Sequence, residues 1–354
     1  MRLPKYLHAQ GGDLWLTEQE RDNVNIQYRI KSVLFEAQSP FQHILVLDSY
    51  QFGRMLVLDG VVQTTAIDGY IYNEMIAHVP LSFHPNPERV LIIGGGDCGA
   101  AREVCKHRAV REVDLVEIDE LVVRACLEHL PEVSGRLNDP RVRFVFADGV
   151  EFIRSVDRPY DVVVVDSSDP VGPAAQLFEE EFYRNVFRAL KPDGLMVCQS
   201  QSPIFHAEVM LRTYERIGRL FADTRLYTAV VPTYPGGLWS FTLGSKKPLP
   251  PAETLRFRLP ARYVNEDILR SCFRRARIRP EHARDERKSP RKTPDDGRKS
   301  GSGGFESPGA PVSRASADDS GPLFRPLRTI ISLYAPPNDA PAAHPSAASA
   351  TPVP

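Results

Sequence analysis

The chain has 354 residues, 42% of them hydrophobic and 25% charged, proportions that exclude collagen-like, coiled-coil and wholly disordered proteins. No membrane span is expected, because no stretch approaches the roughly 18 uninterrupted apolar residues that one needs, and Met1–Gln10 has no apolar segment of the secretory kind. The formal net charge of −1 hides an asymmetry: the 81 residues from Arg274 onward hold 14 Lys and Arg against 9 Asp and Glu, a net of +5, which leaves −6 for residues 1–273.

Residues 1–85 read as a small N-terminal β-hairpin domain. The apolar runs Ile44–Leu47 and Arg54–Leu58 are separated by Asp48–Gly53, and Asp59-Gly60 ends the second. A helix is expected to begin within Gly69–His78, and Pro85-Asn86-Pro87 reads as a linker. Residues 86–273 then alternate short apolar runs (Val90–Ile93, Val113–Val116, Val142–Phe146, Val162–Val165, Leu195–Cys198) with helix-length stretches (Ala100–His107, Glu120–His129, Glu179–Leu190). That rhythm predicts an α/β fold, a doubly wound, mostly parallel sheet covered on both faces, with ligands bound beyond the carboxyl ends of its strands. Residues 274–354 contain 13 of the 31 prolines and much Ser, Gly and Ala. They read as a disordered basic tail, whose Arg284–Lys299 run is a solvated charge cluster more readily than a nucleic-acid contact. Five scattered cysteines without a C-x-x-C pair argue against a disulfide framework or a zinc site and point to the cytoplasm.

Three loops carry chemistry. Gly94-Gly95-Gly96-Asp97-Cys98-Gly99 follows a strand and precedes a helix, and Glu117 ends the next strand. This pair suits the ribose of either a dinucleotide or an S-adenosyl ligand. Asp97 inside the loop would repel a pyrophosphate and attract a cation; it would also cap a helix. Asp148-Gly149 ends the third strand, as an adenine contact or a second cap. In Asp166-Ser167-Ser168-Asp169-Pro170, two carboxylates three residues apart form either a turn or a seat for a cation between them. No further ligand stands at metal spacing, so an organic polycation is favoured over a metal. Pro232–Trp239 is an aromatic loop, either a packed turn or a surface for alkyl chains and ammonium groups.

Together with Val57–Thr65, Tyr72–His78, Arg102-Glu103-Val104 and Glu117-Ile118-Asp119, these segments resemble the spermidine synthase family of polyamine aminopropyltransferases over residues 5–273. The resemblance implies a methyltransferase-like Rossmann domain behind a small β domain, assembled as a homodimer or homotetramer. It implies transfer of the aminopropyl group of decarboxylated S-adenosylmethionine, a co-substrate, to putrescine, with no further cofactor, no metal, no membrane and no nucleic-acid partner. Position by position, it implies that Asp166 is the general base. Asp169, Tyr72, Tyr234 and Trp15 would hold the amine. Gln42, Gln63, Asn73, Gly94, Gly96, Asp97, Glu117, Asp148 and Gly149 would hold the donor. Three positions depart from the family pattern: Cys98 stands where glycine is usual, Asn73 where Gln or His is common, and Gln201 where an acid is frequent. The competing readings are a putrescine N-methyltransferase, a nicotinamide oxidoreductase and a non-catalytic polyamine-binding homologue.

Overall fold

The computed structural model describes residues 4–21, 24–170 and 172–273. The expected basic tail lies outside them.

Six strands follow one another as an antiparallel meander: β1 (Leu7–Gln10), β2 (Asp13–Arg21), β3 (Val24–Gln38), β4 (His43–Ser49), β5 (Gly53–Leu58) and β6 (Val61–Thr65). The centre of β4 is apolar on every residue because both its faces are covered. Leu45 and Leu47 pack with Leu16, Tyr28, Met55 and Val57, while Ile44 and Val46 pack with Val122, Ala125 and Cys126 from later in the chain. The hairpin expected over residues 44–58 is therefore the middle of a larger sheet.

The second sheet contains β7 (Arg89–Gly94), β8 (Glu112–Glu117), β9 (Val142–Phe146), β10 (Tyr160–Asp166), β11 (Leu190–Gln199), β12 (Asp223–Val230) and β13 (Leu238–Ser245). Its spatial order is β12-β13-β11-β10-β7-β8-β9. The five strands foreseen from their apolar runs are parallel, and β13 runs antiparallel to both β11 and β12. The helices are α1 (Gly69–Phe83), α2 (Gly99–Val104), α3 (Glu120–His129), α4 (Pro131–Ser134), α5 (Gly149–Arg154), α6 (Glu180–Ala189), α7 (Ala207–Gly218) and α8 (Glu266–Ser271). α1 and α2 cover one face with Met75, Ile76, Val79 and Val104 against Val90, Ile92, Val162 and Val164. Val150, Phe182, Val186 and Ile217, from α5, α6 and α7, cover the other face against Leu91, Ile93, Val163 and Val165.

One expected boundary shifts. α1 packs into the core of the second sheet, so the change from hairpins to the α/β layer falls just after β6 rather than at residue 85. The carboxylate of Glu74 in α1 also accepts the backbone N–H groups of Arg262, Tyr263 and Val264 (2.7–2.9 Å), fastening the last described segment to that helix.

Strand order reverses between β7 and β10, and in such sheets the ligand crevice opens there, outside the carboxyl ends. Gly94 and Asp166 are register partners at this point. Gly94 has φ +80°, and a Cβ on it would stand 2.2 Å from the carbonyl oxygen of Asp166. Gly94→Ala is therefore expected to destabilise the fold by about 3–5 kcal/mol, combining left-handed strain with overpacking. Urea unfolding of the variant checks this; a loss below about 1 kcal/mol, within the range of unremarkable substitutions, would contradict it.

Candidate active site

A cavity of about 610 Å³ opens at the reversal point. Its lining includes Gly94, Gly96 and Asp97 after β7, Glu117 after β8, Asp148 and Gly149 after β9, and Asp166 and Asp169 after β10. Gln42 from the loop between β3 and β4, Gln63 from β6, Tyr72 from α1 and Tyr234 from the loop before β13 line it too. Asp97, Asp166 and Asp169 thus face one shared space.

Local structure fixes each group. Asp166 sits where β10 runs out, and its Oδ1 accepts the Tyr72 hydroxyl at 2.6 Å. The Asp166 carbonyl accepts Gly95 N–H at 2.8 Å, which ties the glycine loop to the loop after β10. Asp97 Oδ1 accepts Gly99 N–H at 2.8 Å and lines the cavity, but the N-cap position of α2 is Cys98, which makes no side-chain cap hydrogen bond. Asp148 caps α5 through Val150 N–H (2.7 Å) while lining the cavity, so the two roles coexist in that side chain. A Cβ on Gly149 would meet Ile93 at 2.4 Å, so only glycine lets this turn pack against β7. A Cβ on Gly96 would come within 3.0 Å of Glu117 Oε2, which sets how closely the loop approaches that carboxylate. Glu117 Oε1 accepts Asp119 N–H (3.0 Å), and Asp119 Oδ2 accepts both Ser39 Oγ (2.6 Å) and Gln42 Nε2 (3.0 Å). Gln42, held by this bond, lines the cavity.

The aromatic wall is anchored through Asp68, which accepts Thr233 N–H at 2.7 Å and the Thr233 hydroxyl. Tyr28 donates to the Thr233 carbonyl (3.0 Å). The Tyr234 hydroxyl donates to the Gln63 carbonyl (2.7 Å), and its ring meets Tyr72 edge-on at 5.7 Å between centroids.

Two expectations are corrected. Trp15 does not line the cavity: on β2 successive side chains alternate, and buried Leu16 and Glu18 share the face that points inward, opposite to Trp15. Asn73 is absent from the lining as well. It is buried behind the glycine loop, so close to Gly99 that a Cβ there would stand 2.1 Å from its Nδ2. It favours the charged form of Asp97, although neither amide atom meets full hydrogen-bond geometry with a protein partner. Cys98, which stands where glycine is usual in the family, is fully buried at φ +65°, a left-handed conformation strained for a non-glycine residue.

The lining also includes polar residues that the sequence reading does not single out as site residues, among them Glu18, Glu20, Gln199 and His206. Glu20 Oε1 lies 2.8 Å from His206 Nε2. Gln199 donates to the Ser167 carbonyl at 3.2 Å, holding the loop after β10.

The cavity is lined by carboxylates whose charged forms burial disfavours. Burial, then Asp97, pushes Asp166 up to about 7, opposed by the Tyr72 hydrogen bond. Burial raises Asp97 and Asp169. Burial lifts Glu117 to about 7 and Glu18 to about 8. Carboxylates held this way are relieved by bound cations. Among the described residues no three of the acidic, His or Cys side chains converge as a metal site would require, and no helix is long and apolar enough to cross a membrane.

Comparison with known proteins agrees with this geometry. Residues 69–254 match the family model for the spermine/spermidine synthase domain, and residues 14–66 match that for the spermidine synthase tetramerisation domain. A polyamine aminopropyltransferase of Desulforudis audaxviator is 48% identical over 263 residues, 73% of this chain and 95% of its own. One of Moorella thermoacetica is 49% identical over 234 residues, 66% of this chain and 83% of its own. A spermidine synthase solved with the transition-state analogue AdoDATO superposes with a TM-score of 0.72 at 36% identity, covering 77% of this chain and 96% of the other. The spermidine synthase of Thermotoga maritima gives 0.67 at 36% identity, covering 73% and 90%. The chain belongs to the spermidine synthase family and is a transferase enzyme of the polyamine aminopropyltransferase type.

Proposed function

We propose that this chain transfers the aminopropyl group of decarboxylated S-adenosylmethionine to putrescine, giving spermidine and 5′-methylthioadenosine. The observation that carries the reading is the convergence of Asp97, Asp166 and Asp169 on one cavity whose lining also includes tyrosines, amides, glycines and apolar side chains. Both substrates are cations, and an acidic, partly dewatered cleft attracts and holds them together. Glu117 and Gln42 take the ribose, Asp148 and Gly149 the adenine, and Asp97 and Gln63 the aminopropyl end. Asp169 anchors the far ammonium of the diamine.

An ammonium has no lone pair, so the near amine must lose a proton before it attacks. Asp166 accepts it, oriented by Tyr72. The nitrogen then forms a bond to the carbon beside sulfur, the C–S bond breaks, and sulfur leaves as a neutral thioether. Tyr72 and Tyr234, both held well above their ordinary values by burial and neighbouring carboxylates, remain protonated donors throughout.

Parallel reactions with the decarboxylated and the ordinary donor, over a panel of amines and read by product mass, test the proposal. Aminopropylated amine from the decarboxylated donor alone is expected. A methylated amine from the ordinary donor would overturn it.

A pH dependence follows. Asp166 must be ionised to accept a proton, and its value in the free enzyme is about 7. kcat/KM for the diamine should therefore fall about tenfold per pH unit below that value. Asp97→Asn removes the largest repulsive charge, so the acidic limb should move to lower pH; an unmoved limb in kcat/KM profiles would contradict the coupling.

The match of residues 14–66 to a tetramerisation domain supports a homo-oligomer, homodimer or homotetramer, built through the first sheet. The free cysteines among the described residues support a cytoplasmic setting.

A further inference from the structure

Gln201 is buried, lies next to the acceptor end of the cavity, and adopts φ +70°, a left-handed conformation that costs a non-glycine residue free energy. Its backbone groups and its side-chain amide nitrogen are all committed. Its N–H donates to Gln199 Oε1 (3.0 Å), and its carbonyl accepts Ser240 N–H (3.0 Å) and Ser240 Oγ (2.7 Å). Its side-chain Nε2 donates to Asp169 Oδ1 at 2.6 Å. The strained backbone is thus held so that one amide N–H meets one carboxylate oxygen. Asp169 Oδ2 has no hydrogen-bond partner among the described residues.

We infer that Gln201 is an acceptor-specificity residue: by engaging one oxygen of Asp169 it leaves a single-oxygen seat, which suits the primary ammonium of an α,ω-diamine and disfavours a guanidinium-ended amine. A guanidinium binds best when two parallel N–H groups meet both oxygens of one carboxylate. An ammonium is a compact point charge that needs one oxygen at a time. The same bond helps keep Asp169 ionised where burial opposes it. The other charged or titratable groups acting on Asp169 are His206, which favours ionisation, Glu20, which opposes it, and Glu18 and Tyr234 nearby.

The inference rests on the proposed aminopropyl transfer, and two readouts keep their failures apart. 1,4-Diaminobutane and 1-amino-4-guanidinobutane are titrated calorimetrically, with 5′-methylthioadenosine present, into wild type, Gln201→Gly and Gln201→Glu. Turnover with both amines is followed in parallel. Gln201→Gly removes the amide while relieving the left-handed strain, so it is expected to fold. Wild type should bind the diamine at least tenfold more tightly than the guanidino amine. In Gln201→Gly that ratio should shrink about tenfold, with the diamine KM raised five- to twentyfold, kcat within about threefold, and the KM rising further as pH falls and Asp169 takes up a proton. Gln201→Glu should keep diamine binding at alkaline pH and admit the guanidino amine. An unchanged binding ratio in both variants, or equal losses for both amines with kcat falling alongside as for a purely structural residue, would overturn the assignment. Normal ratios without transfer to any amine would instead overturn the proposed reaction.

Discussion

Asp166→Asn is expected to lose about 10³-fold in turnover while binding the decarboxylated donor within a fewfold of wild type. General base catalysis contributes roughly 10²–10⁴-fold when the base is well placed, and Asp166 is the carboxylate at the strand end that Tyr72 orients at 2.6 Å. The amide preserves the size of the side chain and can still meet the tyrosine, so it removes the proton acceptor and little else. In the proposed pose donor binding rests on Asp97, Glu117, Asp148 and the glycine turn, whose side chains and backbone this change leaves in place. Stopped-flow turnover and equilibrium donor titration on the same variant separate the two effects. Turnover within tenfold of wild type would assign the proton to another group.

The same substitution carries a stability signature of opposite sign. The folded value of Asp166 lies near 7, above its ordinary 3.8, so the native state retains a proton that the unfolded chain releases. Native stability therefore declines as pH rises from about 4 to 7, and Asp166→Asn escapes that decline. Its melting temperature should exceed that of wild type at pH 8 and match it at pH 4. A site that needs like charges side by side gives up stability for activity.

The second large effect concerns donor choice. Ordinary S-adenosylmethionine carries a carboxylate that the decarboxylated donor lacks. In the proposed pose that group would approach Asp97, held in the glycine loop by Gly99 N–H at 2.8 Å. Like charges brought together in a dewatered site cost several kcal/mol, a discrimination on the order of 10²–10³-fold. Asp97→Asn should bring the two donors to within about tenfold of one another in binding, with the ordinary donor gaining more than the other loses. Competition titrations with both donors measure this. A ratio unchanged from wild type would place the selectivity elsewhere.

The legible part of this molecule was the part in which burial on two faces produces continuous apolar strands. Val90–Ile93, Val142–Phe146 and Val162–Val165 each lie within a strand of the second sheet, and the polar residues ending them converge at the reversal of strand order. The first sheet was harder to read. β3 alternates Ile26, Tyr28 and Ile30 with Asn25, Gln27 and Arg29, a two-residue period that marks a strand. The same period on β2 sets buried Glu18 beside Leu16 and turns Trp15 away, yet an indole attracts an amine-site reading more readily than a glutamate on a polar strand does. Asn73 shows a different limit. Its position on α1 was apparent, but whether a side chain one methylene shorter than Gln reaches the ligand or stops behind Gly99 depends on sub-ångström packing. The Gln201 contact to Asp169 joins residues 32 apart through a left-handed backbone, which no local pattern announces.

The central claim, that one acidic cavity joins two cations and takes a proton from one of them, is tested most directly with a decarboxylated donor labelled only in its aminopropyl carbons and supplied with 1,4-diaminobutane. Mass-resolved products should show all the label in the triamine, with an equal molar amount of unlabelled 5′-methylthioadenosine, and Asp166→Asn should form both about 10³-fold more slowly. Label remaining in the donor, or methylthioadenosine released without labelled triamine, would contradict it.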